Sequence, residues 1–75
     1  MKLAELNSGA KARIVSIRGK SGIKKRLQDM GILPGEEIVV QKVAPLGDPI
    51  EVIVRGYSLS LRKGEAEDIE VEVLE

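Results

Sequence analysis

The sequence predicts an all-β fold: a small five-stranded barrel plugged by one short helix. Five short segments with β-branched or alternating apolar residues recur along the 75-residue chain, separated by polar and glycine-containing turns. Only one stretch, Ser21 to Gly35, carries a helical period. Closing so short a sheet would also remove edges that the chain could hardly protect. At this length residues 1–75 are expected to form one domain.

Taken in order, Leu3 and Leu6 predict a single helical turn over the core, and Asn7-Ser8-Gly9 a chain reversal. Ala10 to Ile17 is the first strand. Ala12 and Ile14 share a face, while Val15 and Ile17 break strict alternation and predict a bulge or burial on both sides. Arg18-Gly19-Lys20-Ser21-Gly22 is a basic loop without the spacing of a phosphate-binding P-loop. In the helix that follows, Ile23, Leu27 and Met30 fall at i, i+4 and i+7 and share one face. Ser21 is its expected N-cap, and Gly31 the left-handed residue that ends it. Pro34-Gly35 then suits the central positions of a type II turn. A helix below about 12–15 residues is marginal in water. Lys24, Lys25 and Arg26 also set positive charge against the macrodipole in its first turn. Burial against the sheet must hold it.

Glu36 to Val43, rich in Ile and Val, is the second strand. Ala44-Pro45-Leu46-Gly47-Asp48-Pro49 is a loop stiffened by two prolines, with Leu46 near its tip. Leu46 either folds back to cap the barrel or stands out as an apolar anchor with a low ordering cost on binding. Ile50 to Arg55 alternates cleanly and completes a hairpin. Gly56-Tyr57-Ser58 reads as a second turn, and Leu59 and Leu61 alternate with Ser60 and Arg62 in a fourth strand. Lys63 to Asp68 makes one short turn. Ile69, Val71 and Val73 alternate with Glu70 and Glu72 in the fifth strand.

Composition narrows the chemistry. The absence of histidine and cysteine removes the commonest general bases, nucleophile pairs and soft-metal sites. Glu65, Glu67, Asp68, Glu70 and Glu72 read as the solvent face of a strand and its turn, so no catalytic residues and no cofactor are expected beyond weak metal binding by surface carboxylates. The protein is expected not to be an enzyme. Twelve basic and twelve acidic residues balance overall but not locally. Seven basic residues and no acidic one lie between Lys11 and Arg26; six acidic residues and no basic one lie between Glu65 and Glu75. These stripes neutralise each other if the first and last strands are neighbours; otherwise they leave a two-faced molecule. No segment approaches a membrane span of about 20 apolar residues, and nothing resembles a signal peptide. A cytoplasmic location is expected.

Four blocks of residues together resemble the ferrous iron transport protein A (FeoA) family: Leu3-x-x-Leu6-x-x-Gly9; Arg26-Leu27-x-x-Met30-Gly31-Ile32-Leu33-Pro34-Gly35; Val43-Ala44-Pro45-Leu46-Gly47-Asp48-Pro49-Ile50; and Ser58-Leu59-x-Leu61-Arg62. The resemblance implies an SH3-like barrel with the helix inserted between strands 1 and 2, in a free-standing single-domain form. It also implies an accessory of the membrane ferrous iron transporter FeoB, which carries a GTP-binding domain. On the family pattern, Arg26, Leu27 and Pro45, Leu46, Gly47, Asp48 and Pro49 are the candidate partner contacts, and no metal ligand is assigned. The protein would reach the membrane only through that partner. A chain this small also stands to gain from self-association.

Two other readings remain open. The basic run, with a glycine pattern loosely similar to ribosomal KOW segments, would suit an RNA-binding barrel. Tyr57 is the only aromatic, however, and single-strand readers stack bases on several. The other is a metal-responsive regulatory domain that senses metal through surface carboxylates; similar domains end some metal-dependent repressors. No helix-turn-helix is present to bind DNA.

Overall fold

The computed structural model describes residues 1–74; Glu75, the last member of the acidic run, lies outside the described residues. Five strands, β1 (Lys11–Ile17), β2 (Glu37–Val43), β3 (Ile50–Val54), β4 (Tyr57–Leu61) and β5 (Ile69–Leu74), form one sheet in the order β4-β3-β2-β1-β5. Every neighbouring pair is antiparallel. The helix α1 (Ile23–Asp29) is inserted between β1 and β2, and a one-turn helix α2 (Lys63–Glu67) joins β4 to β5. A 3-10 turn at Leu3–Glu5 opens the chain and buries Leu3.

Alternation places Ala12 and Ile14 of β1, Ile38 and Val40 of β2, Ile50, Val52 and Val54 of β3, and Ile69 and Val71 of β5 in one core. Burying a side chain of this kind contributes about 1.5–3 kcal/mol. The break in alternation in β1 is a bulge. Pairing with β5 shifts between Ile14 and Ser16, which turns Val15 to solvent and returns Ile17 to the core. A similar shift between Val40 and Lys42 bends β2 against β3.

The turn between β3 and β4 falls at Arg55-Gly56, two residues earlier than the spacing suggested for its end. Both have positive φ, +50° and +78°, as a two-residue type I′ turn requires. Tyr57 and Ser58 are therefore not turn residues; they pair with Val54 and Ile53. The strained Arg55 is held from outside the turn. Its guanidinium donates to the Gly31 carbonyl at 3.2 Å and lies 3.4 Å from Glu36 Oε1.

Strand pairing by itself leaves the sheet with two ends, correcting the expectation that closure abolishes its edges. At β5 the N-terminal segment covers the edge: Val71 N–H donates to Met1 O at 2.7 Å, and Lys2 bridges to Glu70. Among the described residues no ladder joins β4 to β5. The first and last strands are neighbours, so part of the charge asymmetry cancels across the sheet. Arg13 lies between Glu72, at 3.4 Å, and Glu37, at 3.9 Å.

Candidate functional site

The helix α1 ends as the sequence predicts and begins differently. Gly31 adopts φ +76°. Ile32 N–H donates to Leu27 O at 2.8 Å and Gly31 N–H to Gln28 O at 2.9 Å, the paired bonds of a Schellman stop. Ile32 is buried beside this stop, fixing the exit of the chain. Gly35, at φ +101°, follows Pro34 in a turn closed by Glu36 N–H to Leu33 O at 3.2 Å. At the other end the N-cap is Gly22, in a left-handed conformation with no side-chain cap, and not Ser21. Ser21 Oγ accepts only a long 3.4 Å bond from Ile23 N–H.

The reason is that Ser21 is engaged elsewhere. Both its N–H and its hydroxyl donate to Asp68 Oδ2, each at 2.7 Å. These two donors hold the Asp68 carboxyl below the ordinary aspartate range, with Lys20 and Arg18 adding to the effect against the opposing desolvation. Four residues after Gly22, the other side of α1 is tied as well. Arg26 Nη1 lies 3.2 Å from Glu65 Oε2, and Arg26 Nη2 donates to the Ser60 carbonyl at 3.5 Å. A helix too short to stand alone is thus held by Ile23 and Leu27 in the core and by two polar clamps onto the segment from β4 to β5.

These clamps frame an open groove of about 950 Å3. Ser21 and Arg26 form one wall, Asp48 and Pro49 another, and Ser60, Leu61, Arg62, Gly64 and Glu65 the floor and far side. The structure therefore brings together Arg26, Asp48 and Pro49 of the expected contacts. Asp48 Oδ1 accepts from Lys63 N–H at 3.3 Å, which fastens the loop to the start of α2. Within the loop, Gly47 N–H donates to Ala44 O at 2.7 Å and Ala44 N–H to Pro49 O at 3.1 Å; the Asp48–Pro49 peptide is cis. Pro45 is exposed, and Leu46 at its tip is 91% exposed, so it does not fold back over the barrel. Leu27 is the exception among the expected contacts. It is only 1% exposed, because the helical period that placed it on the family pattern also points it into the core. It offers no surface to a partner.

Sequence reasoning missed Ser60, Arg62 and Glu65 as groove residues and set Glu65 and Asp68 aside as solvent-facing. One signal was available. Glu65 stands three residues after Arg62 and accepts its N–H at 2.8 Å, the backbone half of a capping box. The partnership of Ser21 with Asp68, 47 residues apart, has no local signature. Among the described residues no three His, Cys, Asp or Glu side chains converge as metal ligands, and no helix is long and apolar enough to cross a membrane.

Comparison with known proteins places this geometry. A family model described as the FeoA domain matches residues 1–73. The Fe(2+) transport protein A/Fe(2+) transporter FeoB fusion protein of Porphyromonas gingivalis is 40% identical over 74 residues, covering 99% of this chain. The chain spans only 9% of the length of that relative. Among solved structures, a FeoA-like protein from Clostridium acetobutylicum is 47% identical with a TM-score of 0.86, over 99% of this chain and 86% of that one. The FeoA of Stenotrophomonas maltophilia, complexed with zinc and described as a prokaryotic SH3 domain protein, is 30% identical with a TM-score of 0.82, over 96% and 89% of the two chains. The architecture is accordingly the SH3-like barrel with an inserted helix. Since the match runs from Met1 to Val73 and reaches into all five strands, the chain belongs to the FeoA domain family.

Proposed function

We propose that residues 1–75 act as one non-enzymatic adaptor domain of ferrous iron uptake, cytoplasmic, and docking on the cytosolic GTP-binding part of a FeoB-type transporter to alter its assembly or activity. The observation that carries this reading is the Porphyromonas gingivalis relative, in which a FeoA-type and a FeoB-type region share one polypeptide. Fusion fixes two regions at high effective concentration, which is useful when they act on each other. The geometry suits docking. Leu46 stands at the tip of a loop whose backbone is already ordered by two prolines and internal hydrogen bonds, so little conformational entropy is lost on contact. Pro45, Gly47, Asp48 and Pro49 shape that loop, and Arg26 supplies a charged rim beside it.

The test is capture of a FeoB-type transporter from detergent-solubilised membranes by the tagged protein. Leu46→Asp is expected to abolish capture while the circular dichroism spectrum and unfolding midpoint stay at their wild-type values. Undiminished capture by a folded Leu46→Asp variant would remove the loop from the reading. Failure of the wild-type protein to capture the transporter would end it.

A further inference from the structure

We propose that the outer edge of β4 is a docking site for an extended segment of a partner protein, uncharged at its centre and acidic at the end that meets Arg62 and Lys63, which joins the sheet as a sixth strand. The inference deepens the docking reading above and rests on it only in taking the occupant to be part of a protein partner.

In an antiparallel ladder, alternate residues turn their N–H and C=O groups toward and away from the neighbouring strand. The two-residue turn at Arg55-Gly56 makes Val54 and Tyr57 the closing pair, with both groups facing inward. Leu59 and Leu61 follow the same phase toward β3, so Ser58 and Ser60 present their N–H and C=O outward. The Arg26 guanidinium reaches the Ser60 carbonyl from this outer side, at 3.5 Å, in agreement with the phase. Among the described residues that long bond is the one contact made to the outward-facing backbone groups.

Native sheets blunt a free edge with charge, proline, a bulge or a covering segment. The β5 end has two of these devices: the N-terminal segment pairs with it, and Glu70 and Glu72 line it. The strand β4 reads Tyr57-Ser58-Leu59-Ser60-Leu61, carries no charge and no proline, and pairs with β3 without any shift in register. An edge so little protected suits main-chain pairing with an incoming strand.

The charge at its C-terminal end selects the occupant. Arg62 and Lys63 follow β4 and have no ion pair among the described residues, whereas Arg55, before it, is engaged with Gly31 and Glu36 on the side of β2. A segment with an acidic end beside Arg62 and Lys63 meets opposite charge. The groove beside Ser60 and Leu61 gives that end room.

The experiment follows amide shifts and hydrogen exchange in labelled protein titrated with a synthetic peptide, two glutamates at each end of a Thr-Val-Thr-Val-Thr centre. Protection of the Ser58 and Ser60 amides is the expected result. Ser60→Pro removes one outward donor at a position where an edge strand tolerates proline. It should weaken binding about fivefold, the value of one lost hydrogen bond, whereas Ser60→Ala, which keeps the backbone donor, should leave it unchanged. The same peptide with lysines for glutamates, or with its central amides N-methylated, should not bind.

Equal binding by the N-methylated peptide overturns the proposal, as do peptide-induced shifts confined to other strands or a β4–β4 dimer in place of the complex. Should Ser60→Pro fail to fold, the N-methylated peptide decides alone. Protection by the peptide combined with no capture of the transporter would sink the docking reading and leave the edge site standing; the reverse pattern would sink the edge site only.

Discussion

The helix α1 and the loop from Ala44 to Pro49 are nearly equal in length, and each contributes a leucine to the expected contact surface, yet they are ordered by opposite means. Leu27 is 1% exposed and Leu46 is 91% exposed. The helix has an unfavourable first-turn charge and no side-chain cap at its start, so it is held by what it packs against. The loop is held by itself. Prolines at both sides, the left-handed Gly47 and two internal backbone bonds order it without burying its tip. The difference teaches that a stiff segment is available to a partner only when its stiffness does not come from the core.

The comparison can be broken most sharply at Leu27. Leu27→Ala should cost about 2–5 kcal/mol in urea denaturation, from lost burial and the cavity left behind; a cost below about 1 kcal/mol would mean that the core does not hold α1. Gly31→Ala comes next. A side chain forced to φ +76° should lose about 1–2 kcal/mol in the same assay, since the open space around Gly31 relieves sterics with neighbours but not the backbone strain.

Acid should act on the helix through Asp68. Its folded pKa is lowered, so the stability it contributes is present above the unfolded aspartate value and is lost as pH falls through the folded one. Ser21→Ala deletes the hydroxyl donor and raises that folded value, so acid unfolding should begin at higher pH than in the wild-type protein. Superimposable acid titrations, followed by circular dichroism, would show that the Ser21–Asp68 clamp does not hold α1. The smallest effect on stability belongs to the loop: Leu46→Asp should stay within about 0.5 kcal/mol of wild type, as expected at an exposed site. A larger loss would show that Leu46 packs on the barrel after all.

Much of the fold could be read locally. The alternation in Ile50 to Val54, the i, i+4, i+7 spacing of Ile23, Leu27 and Met30, and the Gly31 stop all act within a few residues of themselves. Even the bulge at Val15 left its mark as a break in period. The candidate site was less legible. Arg26, Asp48 and Pro49 were identified on the family pattern, but Ser60, Arg62 and Glu65 join them only because β4 and α2 fold against α1. The hydroxyl of Ser21 could have capped its own helix; its short bond to a carboxylate from the far end of the chain sets its position and leaves only a 3.4 Å acceptor contact with Ile23 N–H.

The sequence by itself determined the strands, the inserted helix, its glycine stop and the stiffness of the proline loop, because periodicity, φ restriction and chain reversal are short-range properties. Only the tertiary structure decided that Leu27 is hidden while Leu46 is bare, that Asp68 clamps the helix, and that one sheet edge is covered while the other is open. Those outcomes depend on which distant segments become neighbours, and burial and hydrogen-bond competition are settled among neighbours in space.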